Sequence, residues 1–227
     1  MIDPKKFISA LEKNNINFFT GVPDSLMSGF CNLIENKKKH LSSVNEGAAT
    51  ATGIGYYLAT KKIPLIYFQN SGLGNALNPI VSLSNKNVFR IPIFLLIGWR
   101  GEINKNKTIK DEPQHIEQGL ITEKLLNILK IKYKILSGNS DYKKIIKELK
   151  KYSIKNSVPV ALLIRKKSFY QREKKKLKKN NLLFRKEILS ILINILPKNT
   201  NTVSTTGVLS RELMELNIKK KRINKFF

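Results

Sequence analysis

Ile91-Pro92-Ile93-Phe94-Leu95-Leu96-Ile97-Gly98 is the stretch that decides the fold. It is almost continuously apolar and short, and it ends in glycine ahead of the polar Trp99-Arg100-Gly101-Glu102. A strand apolar on both faces belongs in the middle of a parallel sheet, with helices covering each side. Working outward, the same grammar recurs. Residues 17–22, 41–44 and 64–69 read as earlier strands, and 132–136 and 158–164 as later ones. Helical patterns lie between them: from near Asp24, over 46–58, from about Asn75, near 114–129 and around 141–151. Repeated strand–helix units predict an α/β fold, a parallel sheet with helices on both faces.

The chain has 227 residues, of which 41% are hydrophobic, enough for a full core. Its formal net charge is +26, which raises the question of a nucleic-acid partner. Lys accounts for 35 of the 42 basic residues, and Asn and Ile are also plentiful. AT-rich codon usage produces that bias without selection for polyanion binding, so no nucleic-acid partner is expected. A basic excess also speeds encounter with a multiply charged anionic substrate. The single cysteine, Cys31, excludes an intramolecular disulfide and fits a reducing, cytoplasmic setting. Met1-Ile2-Asp3-Pro4-Lys5 opens a polar amphipathic segment rather than a signal peptide, and no apolar run reaches a membrane-spanning length.

Residues 166–186 hold ten Lys or Arg and one acidic residue. Such a run is usually solvated, and aromatic residues are too sparse in it for a stacking nucleic-acid site. The expected division is a first domain over 1–165, a basic linker over 166–183, and the start of a second α/β domain over 184–227. In that last part, 184–196 has helical spacing, 202–204 reads as a short strand, and Thr205-Thr206-Gly207 leads into a helix at 210–216.

Polar clusters stand where the strands end, the place at which open α/β sheets build their sites. Gly21-Val22-Pro23-Asp24-Ser25 follows the first strand; Asp24 or Ser25 reads as a helix cap, a role compatible with facing a substrate. Asn45-Glu46-Gly47 opens a helix of small residues, where a glutamate is either a first-turn residue favoured by the helix dipole or a working carboxylate. Gln69-Asn70-Ser71-Gly72-Leu73-Gly74-Asn75-Ala76-Leu77-Asn78-Pro79 contains a Gly-x-Gly but lacks the third glycine of a dinucleotide fingerprint and the Lys-Ser/Thr of a P-loop. Gly98-Trp99-Arg100-Gly101-Glu102 runs through a polar loop of cover-like length to Lys110-Asp111-Glu112-Pro113-Gln114-His115. Arg100 is either an anion partner or a surface arginine beside an anchoring Trp99. His40, next to Lys37-Lys38-Lys39, reads as a surface residue.

Taken together these clusters resemble the pyrimidine-binding domain of thiamine-diphosphate-dependent decarboxylases, and phosphonopyruvate decarboxylases above all, over residues 5–216. The resemblance implies the cofactors thiamine diphosphate and Mg²⁺ and a 2-keto acid substrate, 3-phosphonopyruvate, converted to phosphonoacetaldehyde and carbon dioxide. It implies that Glu46 is the catalytic carboxylate, hydrogen-bonded to the aminopyrimidine ring and promoting its imino tautomer. Asn70, Ser71, Gly72, Leu73, Gly74 and Asn75 are then expected at the cofactor, and Asp24, Ser25, Arg100, Gln114 and His115 at the substrate. Sulfopyruvate decarboxylases share the Gln-Asn-Ser-Gly-Leu-Gly-Asn string; the Pro23-Asp24-Ser25 and Asn45-Glu46-Gly47 forms point to phosphonopyruvate.

The resemblance also implies a second domain that binds the diphosphate through Mg²⁺, with a Gly-Asp-Gly signature absent from this sequence. No metal ligand is therefore expected in the chain. The expectation is a chain cut short inside its second domain by truncation or frameshift, working as at least a dimer or with a complementary diphosphate-binding chain. A sulfopyruvate decarboxylase-like subunit, or a non-catalytic remnant or partner of such an enzyme, is the alternative.

Overall fold

The computed structural model describes residues 1–104, 107–171, 183–197, 199–205, 207–220 and 225–226. The chain divides into two compact units, Met1–Glu173 and Lys174–Phe227.

The first unit is built in chain order from α1 (Pro4–Lys13), β1 (Phe19–Gly21), α2 (Ser28–Ile34), β2 (His40–Ser42), α3 (Glu46–Thr60), β3 (Leu65–Gln69), α4 (Leu73–Pro79), β4 (Phe94–Gly98), β5 (Ile103–Asn104), β6 (Lys107–Thr108), α5 (Pro113–Ile128), β7 (Lys132–Leu136), α6 (Tyr142–Asn156) and β8 (Val160–Ile164). Six of the strands form one sheet in the order β2-β1-β3-β4-β8-β7, parallel at every pairing. Strands β4 and β8 are buried at every position, as their unbroken apolar runs require.

Side chains alternate between the two faces, and this creates two cores. Leu65, Tyr67, Phe94, Leu96, Val160, Leu162 and Ile164 pack with Phe7, Leu11, Phe30, Ile34, Ile146 and Leu149, on α1, α2 and α6. Ile66, Phe68, Leu95, Ile97, Ala161 and Leu163 pack on the other face with Ala49, Ile54, Leu73, Ala76 and Leu126, on α3, α4 and α5. From β1 the chain moves to β2 on one side and β3 on the other. Such a reversal opens a crevice at the carboxyl ends of the two strands.

Five details differ from the sequence expectation. The N-terminal segment is a full helix, because Asp3 caps it, accepting from the Lys5 N–H at 2.8 Å, and Pro4 occupies its first turn. The helix expected near Asp24 begins as a 3-10 turn at Ser25–Met27, and the Asp24 side chain makes no capping bond. His40 is not a free surface residue. Gly21 lacks a side chain, so the Tyr67 ring crosses over it and the Tyr67 hydroxyl meets His40 Nε2 at 2.8 Å. The loop after β4 contains the short antiparallel pair β5–β6. Phe169 is buried in the first core and Ile2 bridges to it, so the beginning of the basic stretch packs on the first unit. Residues 172–182 of that stretch lie outside the described residues.

The second unit holds α7 (Arg185–Ile195), β9 (Asn201–Thr202), α8 (Val208–Lys219) and β10 (Lys225–Phe226), with β9 and β10 parallel. Its core is Leu189, Ile193, Leu213 and Leu216. Arg185 grips Glu212 through Nε at 2.7 Å and Nη2 at 3.0 Å. Thr206 lies outside the described residues.

Candidate active site

Asn45 caps α3 through its Oδ1, which accepts from the Ala48 N–H at 2.8 Å. That leaves the Glu46 carboxylate for another task. Its Oε2 accepts from Asn75 Nδ2 at 2.8 Å. A Cβ built on Gly72 would stand 2.3 Å from Glu46 Cγ and 2.6 Å from Oε1. Glycine at 72 is thus what lets the turn between β3 and α4 lie against this carboxylate. Gly47 likewise admits the Asn75 carbonyl, 2.8 Å from where a Cβ would be. Glu46 is partly buried; Ser71, Gly74 and Asn75 are exposed beside it, and a Cβ on Gly74 would meet nothing within 4 Å.

Asn70 and Leu73, expected at the cofactor, turn their side chains into the protein. Asn70 is 1% exposed. Its Nδ2 donates to the Arg100 carbonyl at 2.9 Å and to Thr122 Oγ1 at 2.8 Å, and its Oδ1 accepts from the Arg100 N–H at 3.2 Å. Leu73 belongs to the second core. Asn70 therefore ties the end of β3 to the end of β4 and to α5, and so joins the Glu46 group to a second group of polar residues.

Asp111 is the hub of that second group. Arg100 Nε donates to its Oδ2 at 2.8 Å and Nη2 donates to its Oδ1. The N–H groups of Gly101 and Glu112 donate to it at 3.3 and 2.9 Å, and His115 Nδ1 lies 3.0 Å from Oδ1. The guanidinium holds the Asp111 carboxyl well below the usual carboxylate range, and Arg100 is raised in turn. Arg100 Nη1 also reaches Ser25 Oγ at 3.3 Å.

Beneath this group Asp24 is 5% exposed, and neither carboxylate oxygen has a hydrogen-bond partner. Gly98 makes room for it, since a Cβ there would stand 1.9 Å from Asp24 Oδ2. Burial pushes the Asp24 carboxyl above its ordinary value, against the smaller opposing pull of the Leu26 and Ser25 backbone, Arg100 and His115. Trp99 anchors the strand end: it is 1% exposed and its Nε1 donates to the Gly119 carbonyl at 3.3 Å.

Asp24, Ser25, Arg100 and His115 thus converge at the ends of β1 and β4. Gln114 stands exposed on the first turn of α5. Sequence reasoning passed over Asp111 as a site residue. Its signal was the acid four positions before His115, just ahead of the Pro113 helix start. Among the described residues no three or more His, Cys, Asp or Glu converge in a way that could hold a metal ion, and no helix is long and apolar enough to cross a membrane.

Comparison with known proteins agrees with this architecture. Two solved structures share the fold, benzoylformate decarboxylase from Polynucleobacter necessarius (TM-score 0.54, 13% identity, 90% of this chain) and 4-hydroxybenzoylformate decarboxylase from Rhodococcus jostii RHA1 (TM-score 0.55, 13% identity, 88% of this chain). This chain spans 39% of each of them. Sulfopyruvate decarboxylase subunit alpha from Methanocaldococcus jannaschii is 37% identical over 158 residues, 68% of this chain and 88% of that protein. Phosphonopyruvate decarboxylase from Streptomyces viridochromogenes is 31% identical over 143 residues, 62% of this chain and 34% of that protein. The sulfopyruvate relative has the higher identity of the two, and both relatives are decarboxylases by name. Residues 5–123 match the family described as thiamine pyrophosphate enzyme, N-terminal TPP binding domain, and with that match this chain belongs to the thiamine pyrophosphate enzymes.

Proposed function

We propose that this chain supplies the pyrimidine-binding half of a thiamine-diphosphate-dependent decarboxylase, acting on a small 2-keto acid that carries a sulfonate or phosphonate on its third carbon. The observation that carries the reading is Glu46. Its carboxylate is fixed on one oxygen by Asn75 and lies against a turn stripped of side chain at Gly72. Those features fit an aminopyrimidine: a flat ring needs side-chain-free backbone to approach, and its weakly basic nitrogen needs a carboxylate with which to share a proton. Ser71, Gly74 and Asn75 would line the ring's approach, and Glu46 would exchange the proton through Oε1 while Asn75 holds Oε2.

Bound thiamine diphosphate supplies the electron sink for breaking the carbon–carboxylate bond. Arg100, Ser25 and His115 would orient the keto acid at the ends of β1 and β4. Asp24, its carboxyl raised by burial, is suited to hold a proton and deliver it to the carbon that loses carbon dioxide. The diphosphate and its Mg²⁺ would be held by a complementary domain on another chain, which makes the working enzyme at least a dimer. The 37% identical relative is a subunit alpha by name, which supports that arrangement.

The test is Glu46→Gln in the enzyme assembled with a diphosphate-binding chain. Turnover is expected to fall by roughly 10²-fold or more with the fold intact, the scale of a lost acid–base group. Near-normal carbon dioxide release would defeat the assignment.

A further inference from the structure

At Asn70 the backbone of β3 stops pairing and its side chain takes over. The ladder between β3 and β4 runs to the pair Gln69 and Gly98, and the chain then enters a 3-10 turn over Asn70–Gly72. The Asn70 amide donates to the Arg100 carbonyl at 2.9 Å and accepts from the Arg100 N–H at 3.2 Å, in place of the backbone groups of a neighbouring strand. Its second Nδ2 hydrogen goes to Thr122 Oγ1 at 2.8 Å, and the Thr122 hydroxyl gives its own proton to the Gln118 carbonyl at 2.6 Å. Both groups that face Nδ2 are therefore acceptors. The amide is fixed one way round, because a reversed Oδ1 would oppose the Arg100 carbonyl oxygen.

Both ends of this brace reach the site. Just beyond Asn70, Gly72 lies against Glu46, and Asn75 holds Glu46 Oε2 at 2.8 Å. At the other end Arg100 sets its guanidinium between Asp111 and Ser25. Asn70 and Thr122 are themselves buried, so they act on the site through the backbone they hold. Water does not readily replace a bond lost in such a place, and a buried N–H and carbonyl left without Asn70 must move to find other partners. A displacement of about 1 Å between reacting groups can cost about 10²-fold in rate.

Resting on the decarboxylase reading, we propose that Asn70 is a positioning residue of the reaction: its buried amide fixes Arg100, and with it the keto acid, relative to the Glu46 carboxylate, without touching either ligand. In the full chain without cofactor, hydrogen exchange at the Arg100 amide is expected to speed about tenfold or more in Asn70→Ala, because that N–H loses its acceptor. In the enzyme assembled with a diphosphate-binding chain, Asn70→Ala should lower kcat by roughly 10²-fold and leave KM within about threefold, as when alignment is lost but binding is kept. Thr122→Val and Thr122→Ser separate positioning from packing, and carry the test if Asn70→Ala does not fold. Thr122→Val keeps the shape and removes the acceptor, whereas Thr122→Ser keeps the acceptor and loses a methyl group. Positioning predicts a kcat about threefold or more higher in Thr122→Ser, and packing alone predicts the reverse order. Near-normal kcat in folded Asn70→Ala, a loss carried wholly by KM, unchanged exchange at Arg100, or an equal or reversed order at Thr122 overturns the proposal. A wild-type assembly that decarboxylates no such keto acid overturns the decarboxylase reading and this proposal with it, whereas an active wild type beside an equally active Asn70→Ala overturns this proposal alone.

Discussion

Gly72 and Glu46 are coupled at the scale of single atoms. A methyl group at position 72 would overlap the Glu46 side chain, and that side chain is flexible enough to swing away rather than unfold the protein. Gly72→Ala is therefore expected to leave thermal stability within about 1 kcal/mol of the wild type while lowering decarboxylation in the assembled enzyme at least tenfold. A variant with normal turnover would show that the Glu46 position is not critical. Asp24 makes a second prediction, in stability. Its ordinary carboxyl value is 3.8 and burial raises it in the folded chain. Between those values the folded state keeps a proton that the unfolded chain releases, so stability falls as pH rises through the window. Asp24→Ala removes that cost. Its melting temperature should exceed the wild type's at about pH 7, and the gain should fade toward about pH 4. A lower melting temperature at neutral pH would mean that the carboxylate has a stabilising partner after all. Asp111 has the opposite sign: held down by Arg100, it stabilises the fold above the ordinary carboxylate range and loses this effect as pH falls through and below it.

Helix α5 shows the same logic at the scale of an element. Its start is set by Pro113 and the Asp111 hub, and its first turns press on the backbone after β4. A Cβ on Gly119 would stand 1.8 Å from the Gly101 carbonyl oxygen, and one on Gly101, at φ +63, would stand 1.9 Å from the His115 carbonyl oxygen. Backbone cannot swing aside as a side chain does. Gly119→Ala should accordingly destabilise the first unit by about 1–3 kcal/mol in urea denaturation. It should also loosen the Trp99 contact, seen as a change in fluorescence. A change below a few tenths of a kcal/mol would show that the seam is slack. The helix and its approximate limits were legible in the periodicity of residues 114–129, but the glycine seam was not. Gly101 and Gly119 are eighteen positions apart, and only the packed fold makes them neighbours.

For the whole molecule, the prediction concerns assembly. The pyrimidine-side carboxylate, the Arg100 cluster and the sheet that carries them all lie in Met1–Glu173. If diphosphate and metal are held by a complementary chain, the purified protein with thiamine diphosphate and Mg²⁺ should release carbon dioxide at under about 1% of the rate seen after a diphosphate-binding chain is added, because positioning supplies much of the rate. Equal rates with and without the added chain would remove the need for a partner.

What the sequence determined by itself was set by local and periodic rules. Unbroken apolar runs at 91–98 and 158–164 mark strands buried on both faces, and the strand–helix alternation implies a parallel sheet. The glycines and polar residues after each strand mark a site at the carboxyl edge, and Glu46 stood out because the other strand-end motifs accompany it. Tertiary structure decided the rest, since it depends on which strand ends become neighbours. Strand order brings β1 next to β3 and β3 next to β4, and only then does Asp24 fold over Gly98 and Asn75 reach Glu46. Neither Asn70 nor Asp111 reveals its partners until the chain closes. In the folded chain one is a buried brace between strands and the other is the counter-ion of Arg100. The physical reason is that burial and pairing, not residue type, determine whether a carboxyl is raised like Asp24 or lowered like Asp111.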